Sequence, residues 1–225
     1  MYTAIIVEPR QHKALLFVLN NFLENLSYEW NIIIFHGINN YDFLINIINK
    51  HLLKYIERIS LKNLNVDNLK REEYNKMFIT NIEFYNHIPT EIFLVFQTDS
   101  MILKKNKNLI NNFLNYDYVG APWQWYIFNK FNVGNGGLSL RKKSKMLEII
   151  EKSKNYLQQE NEDIFFSCNE LVTLNKPSIE EAKLFSIEHI FSDISFGCHQ
   201  PWISKDYDKI VSVHPEIKIL KDLCH

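Results

Sequence analysis

Four places in the chain carry side chains suited to chemistry. Asp99 follows an almost continuous apolar run, Glu91-Ile92-Phe93-Leu94-Val95-Phe96, and the polar pair Gln97-Thr98. In open α/β sheets, ligands gather at the carboxyl ends of strands. A carboxylate placed there reads in two ways. It holds a divalent cation that bridges diphosphate oxygens and neutralises a leaving group, or it is a turn or N-cap residue that shares the task with Ser100. Gly134-Asn135-Gly136-Gly137 is the second place. Its spacing is neither GxGxxG nor GxxxxGK[ST], so dinucleotide and P-loop readings are not supported. Close backbone approach to a ligand and a tight turn before a strand both remain open. At Asn161-Glu162-Asp163, acids open a helix, where the first turn favours negative charge; a general base for an attacking hydroxyl needs the same residue types. His199, between Gly197 and Pro201-Trp202, is either a transition-metal ligand or a hydrogen-bonded loop side chain. Trp123, Trp125 and Trp202 are sugar-stacking surfaces or core.

Alternating strands and helices must position these groups. Thr3 to Val7 is a short β-rich run stopped by Glu8-Pro9-Arg10. Ala14, Val18 and Phe22 recur every fourth residue beside Leu15, Leu19, Leu23 and Leu26, which gives a helix with one broad apolar face. Trp30 to Phe35 reads as a buried strand ending at His36-Gly37, and about Tyr41 to Tyr55 as a second helix. Asp67 to Tyr85 reads as a third helix, capped by Asp67 or Asn68. The run to Phe96 has the apolar content of a central parallel strand covered on both faces. Four of the six glycines lie between Gly120 and Gly137, so backbone freedom is concentrated in the middle. Helices over about Lys142 to Tyr156 and Glu162 to Leu171 follow.

Composition narrows the class. The 225 residues suit one domain over 1–225, with 46% hydrophobic and 23% charged residues. Lys+Arg 25 against Asp+Glu 26 leaves a charge of −1, which favours neither nucleic acid nor an anionic membrane as partner. Heavy use of Lys, Ile and Asn suggests an AT-rich coding sequence, such as that of a large DNA virus or an AT-rich microbe. Three cysteines without CxxC spacing fit a reducing cytoplasm more simply than a chain with one disulfide, the alternative that their number leaves open. The N-terminus lacks the pattern of a signal peptide, and no apolar stretch is long enough for a membrane span.

The order of the motifs says more than each alone: strand-terminal Asp, aromatic segment, glycine turn with strand, acidic helix start, late His. That order resembles the GT-A glycosyltransferase superfamily, and within it a GT-A-like family catalogued as a domain of unknown function. The resemblance rests on Val7-Glu8-Pro9-Arg10, Phe35-His36-Gly37, Phe96-Gln97-Thr98-Asp99-Ser100, Tyr116-Asp117-Tyr118-Val119-Gly120-Ala121-Pro122-Trp123, Gly134 to Arg141, Asn161-Glu162-Asp163 and Gly197-Cys198-His199-Gln200-Pro201-Trp202. It implies an α/β, Rossmann-like, mostly parallel central sheet flanked by helices. It further implies that Pro9, Arg10, His36 and Gly37 line a nucleoside pocket, with Gln97 and Thr98 beside it. Asp99 stands for the metal-binding acid and His199 for the late histidine ligand of Mn²⁺ or Mg²⁺. Gly136 and Gly137 lie beside donor sugar and acceptor. Asp163, with Glu162 next to it, matches the pair from which inverting members draw their base. One departure is clear: the family's Asp-x-Asp is Gln97-Thr98-Asp99 here.

The activity so implied is transfer of a hexose-type sugar from a UDP- or GDP-sugar to a hydroxyl on a glycan or protein. A catalytically silent glycan- or nucleotide-binding module is the alternative. Nucleotidyl transfer ranks last, because Glu8-Pro9-Arg10-Gln11-His12 stands where those enzymes carry a glycine- and basic-rich phosphate loop.

Overall fold

In the computed structural model, residues 1–127, 130–154 and 161–225 are described. A six-stranded sheet runs through the centre, in the order β3 (Ile59–Asn63), β2 (Trp30–His36), β1 (Tyr2–Val7), β4 (Ile92–Phe96), β9 (Leu138–Lys142), β6 (Tyr118–Gly120). The first four strands are mutually parallel, whereas β9 runs antiparallel to both β4 and β6. A smaller sheet is formed by β10 (Ser186–Ile187), β11 (Gly197–His199) and β5 (Ser100–Ile102), and β7 (Pro122–Ile127) pairs with β8 (Lys130–Val133). The mostly parallel α/β sheet expected from the sequence is present.

The apolar strands are buried on both faces, and their alternation divides the core into two layers. Ala4, Ile6, Ile32, Ile34, Leu94 and Phe96 face one layer with α1 (Leu15–Asn25) and α2 (Tyr41–Ile47). Two further helices, α8 (Tyr207–Val213) and α9 (Ile217–Cys224), complete that layer through Ile210, Ile217 and Leu220. Ile5, Ile33, Phe35, Phe93 and Val95 face the other layer, with α3 (Arg71–Thr80), α4 (Ile82–Asn86), α5 (Lys143–Ser153) and α6 (Glu162–Ser167). A period of two with both faces apolar is the pattern of a covered parallel sheet. The short α7 (Ile179–Ala182) leads into β10 and is capped by Ser178, which accepts from Glu181 N.

Three helix expectations are corrected. The segment Asp67 to Tyr85 is two helices, broken at Asn81, whose extended backbone frees its side chain to accept from Phe84 N. Neither Asp67 nor Asn68 caps the first of them. Asp67 accepts from Asn39, Asn68 accepts from Leu69 N, and the Glu73 carboxylate instead takes the Lys70 N–H at 2.7 Å. The helix starting at Glu162 ends at Ser167, where the Lys176 ammonium donates to the Ser167 carbonyl at 2.5 Å. After Ile47 the second helix continues as a π turn and a 3₁₀ turn to Arg58. The far end of the expected 142–156 helix, Tyr156, lies outside the described residues; the helix itself covers Lys143–Ser153. Among the described residues no helix is long and apolar enough to cross a membrane.

Candidate active site

Sheet register brings the chemical groups together. Parallel pairing of β1 with β4 sets their carboxyl ends side by side, so Glu8-Pro9-Arg10 and Gln97-Thr98-Asp99 emerge together. Antiparallel pairing of β9 with β4 sets Leu138 opposite Phe96, which carries the preceding glycine turn to the same edge. The Ser100 hydroxyl donates to the Gly137 carbonyl at 2.7 Å and locks that juxtaposition. In the smaller sheet His199 pairs with Ser100, so it lies beside Asp99. The result is a cavity of about 500 Å³, lined in part by Pro9, Arg10, Gln97, Thr98, Asp99, Gly136, Gly137, Glu162, Asp163 and His199.

His36 and Gly37 do not line it. The Gly37 N–H donates to Asn40 Oδ1 at 2.9 Å, and Asn40 Nδ2 donates to the Glu8 and Arg10 carbonyls at 2.8 and 3.0 Å. A Cβ on Gly37 would lie 2.8 Å from Pro9 Cβ. The 36–37 turn therefore shapes the cavity wall from behind. The three tryptophans also lie elsewhere. Trp123 is buried, Trp125 stands exposed against His189 with ring centroids 4.4 Å apart, and Trp202 packs on His225.

At one end of the cavity His199 is held between two carboxylates, with Nε2 3.3 Å from Asp99 Oδ1 and Nδ1 3.2 Å from Glu188 Oε1. Gln200, at a left-handed φ of 42°, turns back so that its amide donates to Asp99 Oδ2 and its N–H to the Asp99 carbonyl. Burial opposes ionisation of Asp99, but the imidazolium and the Gln200 amide outweigh it and hold the carboxyl down at about 2. For His199 burial disfavours charge, yet Asp99 and Glu188 push the ring up to about 10.

Asp99 Oδ1 and His199 Nε2 are buried, are not aligned for a hydrogen bond and have no other partner among the described residues. Two such atoms 3.3 Å apart suit neighbouring positions of an octahedral cation shell, whose edge is about 3 Å. No cluster of three or more His, Cys, Asp or Glu groups able to hold a metal occurs among the described residues. A cation here would thus take one carboxylate and one imidazole, and its remaining ligands from water and substrate. A cation at Nε2 and a proton on that nitrogen exclude one another.

At the other end, Asp163 accepts from Ile164 N at 2.8 Å and Gly136 N at 3.2 Å. Burial, followed by the charge of Glu162, raises its carboxyl to about 6, against the pull of those N–H groups and Arg141. Glu162 itself is committed elsewhere. Both its oxygens bind the fully buried Arg141, at 2.5 and 3.0 Å, so Glu162, which the resemblance counted in the acidic pair that supplies a base, is a counterion here. Arg141 is further sandwiched by Phe78, Tyr118 and Phe166. Gly136 and Gly137 fit between Asp163 and His199 only because they lack side chains. A Cβ on Gly136 would lie 2.3 Å from Glu162 Oε1, and one on Gly137 2.2 Å from His199 Nε2.

Sequence reasoning missed Glu188, Gln200, Tyr74 and Arg71, all of which line the cavity. No motif marks Glu188; it follows β10, and the pairing of β10 with β11 is what sets it beside His199.

Compared with solved structures, the chain has a GT-A-like fold. It superposes on the glycosyltransferase GlyE from Streptococcus pneumoniae TIGR4 with a TM-score of 0.57 at 10% identity, covering 99% of this chain and 62% of that one. The galactosyltransferase LgtC, in complex with donor and acceptor sugar analogs, gives 0.54 at 10% identity over 95% of both chains. The chain belongs to the family described as "Protein of unknown function (DUF5672)", whose model matches residues 58–199 and so spans Asp99, the glycine turn, Asp163, Glu188 and His199. Among curated protein sequences nothing matches.

Proposed function

We propose that the chain transfers a hexose-type sugar from a nucleotide-diphosphate donor, a UDP- or GDP-sugar, to a hydroxyl of a glycan or protein. The observation that carries this reading is the convergence on one cavity of residues from seven separate stretches, 7–10, 68–75, 97–99, 135–137, 161–163, 188 and 199–200. Asp99 and His199 hold Mn²⁺ or Mg²⁺. When bound, such a cation neutralises the charge that develops on the departing diphosphate. Pro9, Arg10, Gln97 and Thr98 form the wall at the ends of β1 and β4, where the nucleotide sits in this reading. Gly37 supports that wall through Asn40, and the His36 ring holds the Gly37 carbonyl at 2.7 Å. Arg71, exposed and lining the cavity, adds positive charge for phosphate oxygens, whereas the Arg10 charge is balanced by Glu8, whose two carboxylate oxygens each accept from its guanidinium at 2.8 Å. Gly136 and Gly137 let the backbone lie close to the transferred sugar. In an inverting reaction Asp163 removes the acceptor's proton; a carboxyl raised to about 6 is matched to a base that works near neutral pH.

One observation favours a second reading, a glycan- or nucleotide-binding module without turnover. Gln97 stands where GT-A enzymes commonly carry an acid, and its amide donates to the Tyr74 hydroxyl at 3.2 Å. Asp99 is then the one carboxylate of that motif.

The experiment is donor hydrolysis and transfer across a panel of nucleotide sugars with Mn²⁺, comparing the wild type with Asp99→Ala and Asp163→Ala. Loss of turnover in both variants is expected. Unchanged turnover in both removes the mechanism, and donor binding without turnover by the wild type across the panel selects the second reading.

A further inference from the structure

We propose that Glu188 is a positioning residue, which orients His199 as a cation ligand and is itself fixed by Asn135. The inference rests on the cation site of the proposed function.

An imidazole binds a cation through the lone pair of one nitrogen while the other carries a proton, and the partner of that second nitrogen decides which is which. His199 has both nitrogens assigned by geometry. Nδ1 faces Glu188 Oε1 at 3.2 Å, and Nε2 faces the cavity-lining Asp99 at 3.3 Å. A carboxylate at Nδ1 can only accept, so it keeps a proton on Nδ1, and when a cation replaces the proton on Nε2 the lone pair of that nitrogen is the one left to bind it.

Glu188 is built into this position. It is 4% exposed, and among the described residues His199 is its only ion-pair partner. A buried carboxylate without an Arg or Lys is costly to keep. Asn135 Nδ2 donates to the same Oε1 at 2.9 Å, while Asn135 Oδ1 accepts from Gly137 N at 3.0 Å. With both ends of its amide engaged, Asn135 cannot flip without losing two bonds. Gly137, in turn, is the residue whose missing side chain leaves room for the imidazole. The turn Asn135-Gly136-Gly137 thus does two jobs. It lines the cavity, and it clamps the carboxylate that aims His199.

A purely structural Glu188 would affect folding but leave the cation's ligand set alone, so the test reads the ligand set directly. Mn²⁺ titrations followed by electron paramagnetic resonance give the affinity, and pulsed measurements on the bound ion report nitrogen coupling from the imidazole. The wild type is compared with Glu188→Gln, Glu188→Ala and Asn135→Ala, and thermal unfolding without metal monitors each fold. Expected are about tenfold weaker Mn²⁺ binding for the Gln variant, up to about a hundredfold for Ala, and reduced nitrogen coupling in both. Asn135→Ala should show a smaller loss of the same kind. Wild-type affinity and coupling in a folded Glu188 variant overturn the inference; if Glu188→Ala does not fold, the near-isosteric Gln variant decides. A wild type that binds neither Mn²⁺ nor Mg²⁺ overturns the cation site itself, a different outcome from a wild type that binds and variants that bind equally well.

Discussion

Asp99 and Asp163 line the same cavity and are both largely buried, yet their environments drive them in opposite directions. Burial raises each carboxyl. At Asp99 the imidazolium of His199 and the amide of Gln200 reverse the effect and the group is held at about 2. At Asp163 the adjacent Glu162 charge adds to burial and the group rises to about 6. Depth alone therefore does not set the role of an acid; the sign of its nearest neighbour does. Two carboxylates whose environments push them apart are the arrangement by which one site holds a permanent anion and a working base together.

The largest test of this contrast is Asp99→Ala. In the proposed function it removes the permanent anion and one of two cation ligands, and turnover should fall by about 10³-fold, the equivalent of about 4 kcal/mol of charge stabilisation. Excess Mn²⁺ should restore little of it. Steady-state kinetics over a range of Mn²⁺ concentrations checks this. Asp163→Ala should cost about 10²-fold or somewhat more. Its signature is the pH profile. A base must be ionised to act, so wild-type turnover should fall as pH drops through about 6, and the residual activity of the variant should lack that limb. Stability gives the complementary sign. The folded carboxyl near 6 against an ordinary 3.8 means the folded protein binds more protons between about pH 4 and 6. Its stability should therefore decline as pH rises across that window, and Asp163→Ala should flatten the slope in denaturant titrations.

Glu162→Gln acts on the neighbour and leaves Asp163, the proposed base, in place. It removes the negative charge beside Asp163 and leaves the Arg141 guanidinium, so the acidic limb of turnover should shift to lower pH. Because Arg141 is fully buried, the broken pair should also cost about 3 kcal/mol of stability, measurable by urea unfolding. Arg141→Met should move the limb the other way, since Glu162 then faces Asp163 uncompensated.

How much of this was legible beforehand depends on whether a contact is local. The apolar run ending at Phe96 announced a central strand, so Asp99 could be placed at a sheet edge from the chain alone. The fourfold recurrence of Ala14, Val18 and Phe22 gave the helix over Leu15–Asn25 in the same way. The helix break at Asn81 was hidden because apolar residues continue across it, and only the cap at Phe84 N reveals it. Glu162 and Asp163 look interchangeable as neighbours in a helix's first turn. Arg141, 21 residues earlier, separates them, by a pairing that no local pattern encodes. Glu188 was invisible for the same reason: it meets His199 only through a strand pair. Trp123 was a candidate on residue type, and its burial removed it.

The glycine turn offers the finest test, because two adjacent residues report on opposite ends of the cavity. Neither Gly136 nor Gly137 has a left-handed backbone, so alanine at either is allowed by φ and only the new Cβ matters. At Gly137 that carbon would sit 2.2 Å from His199 Nε2, so the ring must leave the position from which it faces Asp99. Gly137→Ala should weaken Mn²⁺ binding by about tenfold while the acidic limb stays near 6. At Gly136 the carbon would meet Glu162 Oε1 at 2.3 Å and Asp163 Cβ at 2.9 Å. Gly136→Ala should therefore loosen the Gly136 N–H bond to Asp163, which favours the ionised form. Its removal raises the carboxyl, so the limb should move to higher pH with Mn²⁺ affinity little changed. Equal shifts of both quantities in both variants would mean that the two ends are mechanically one unit, and the contrast between Asp99 and Asp163 would then be a property of the whole turn.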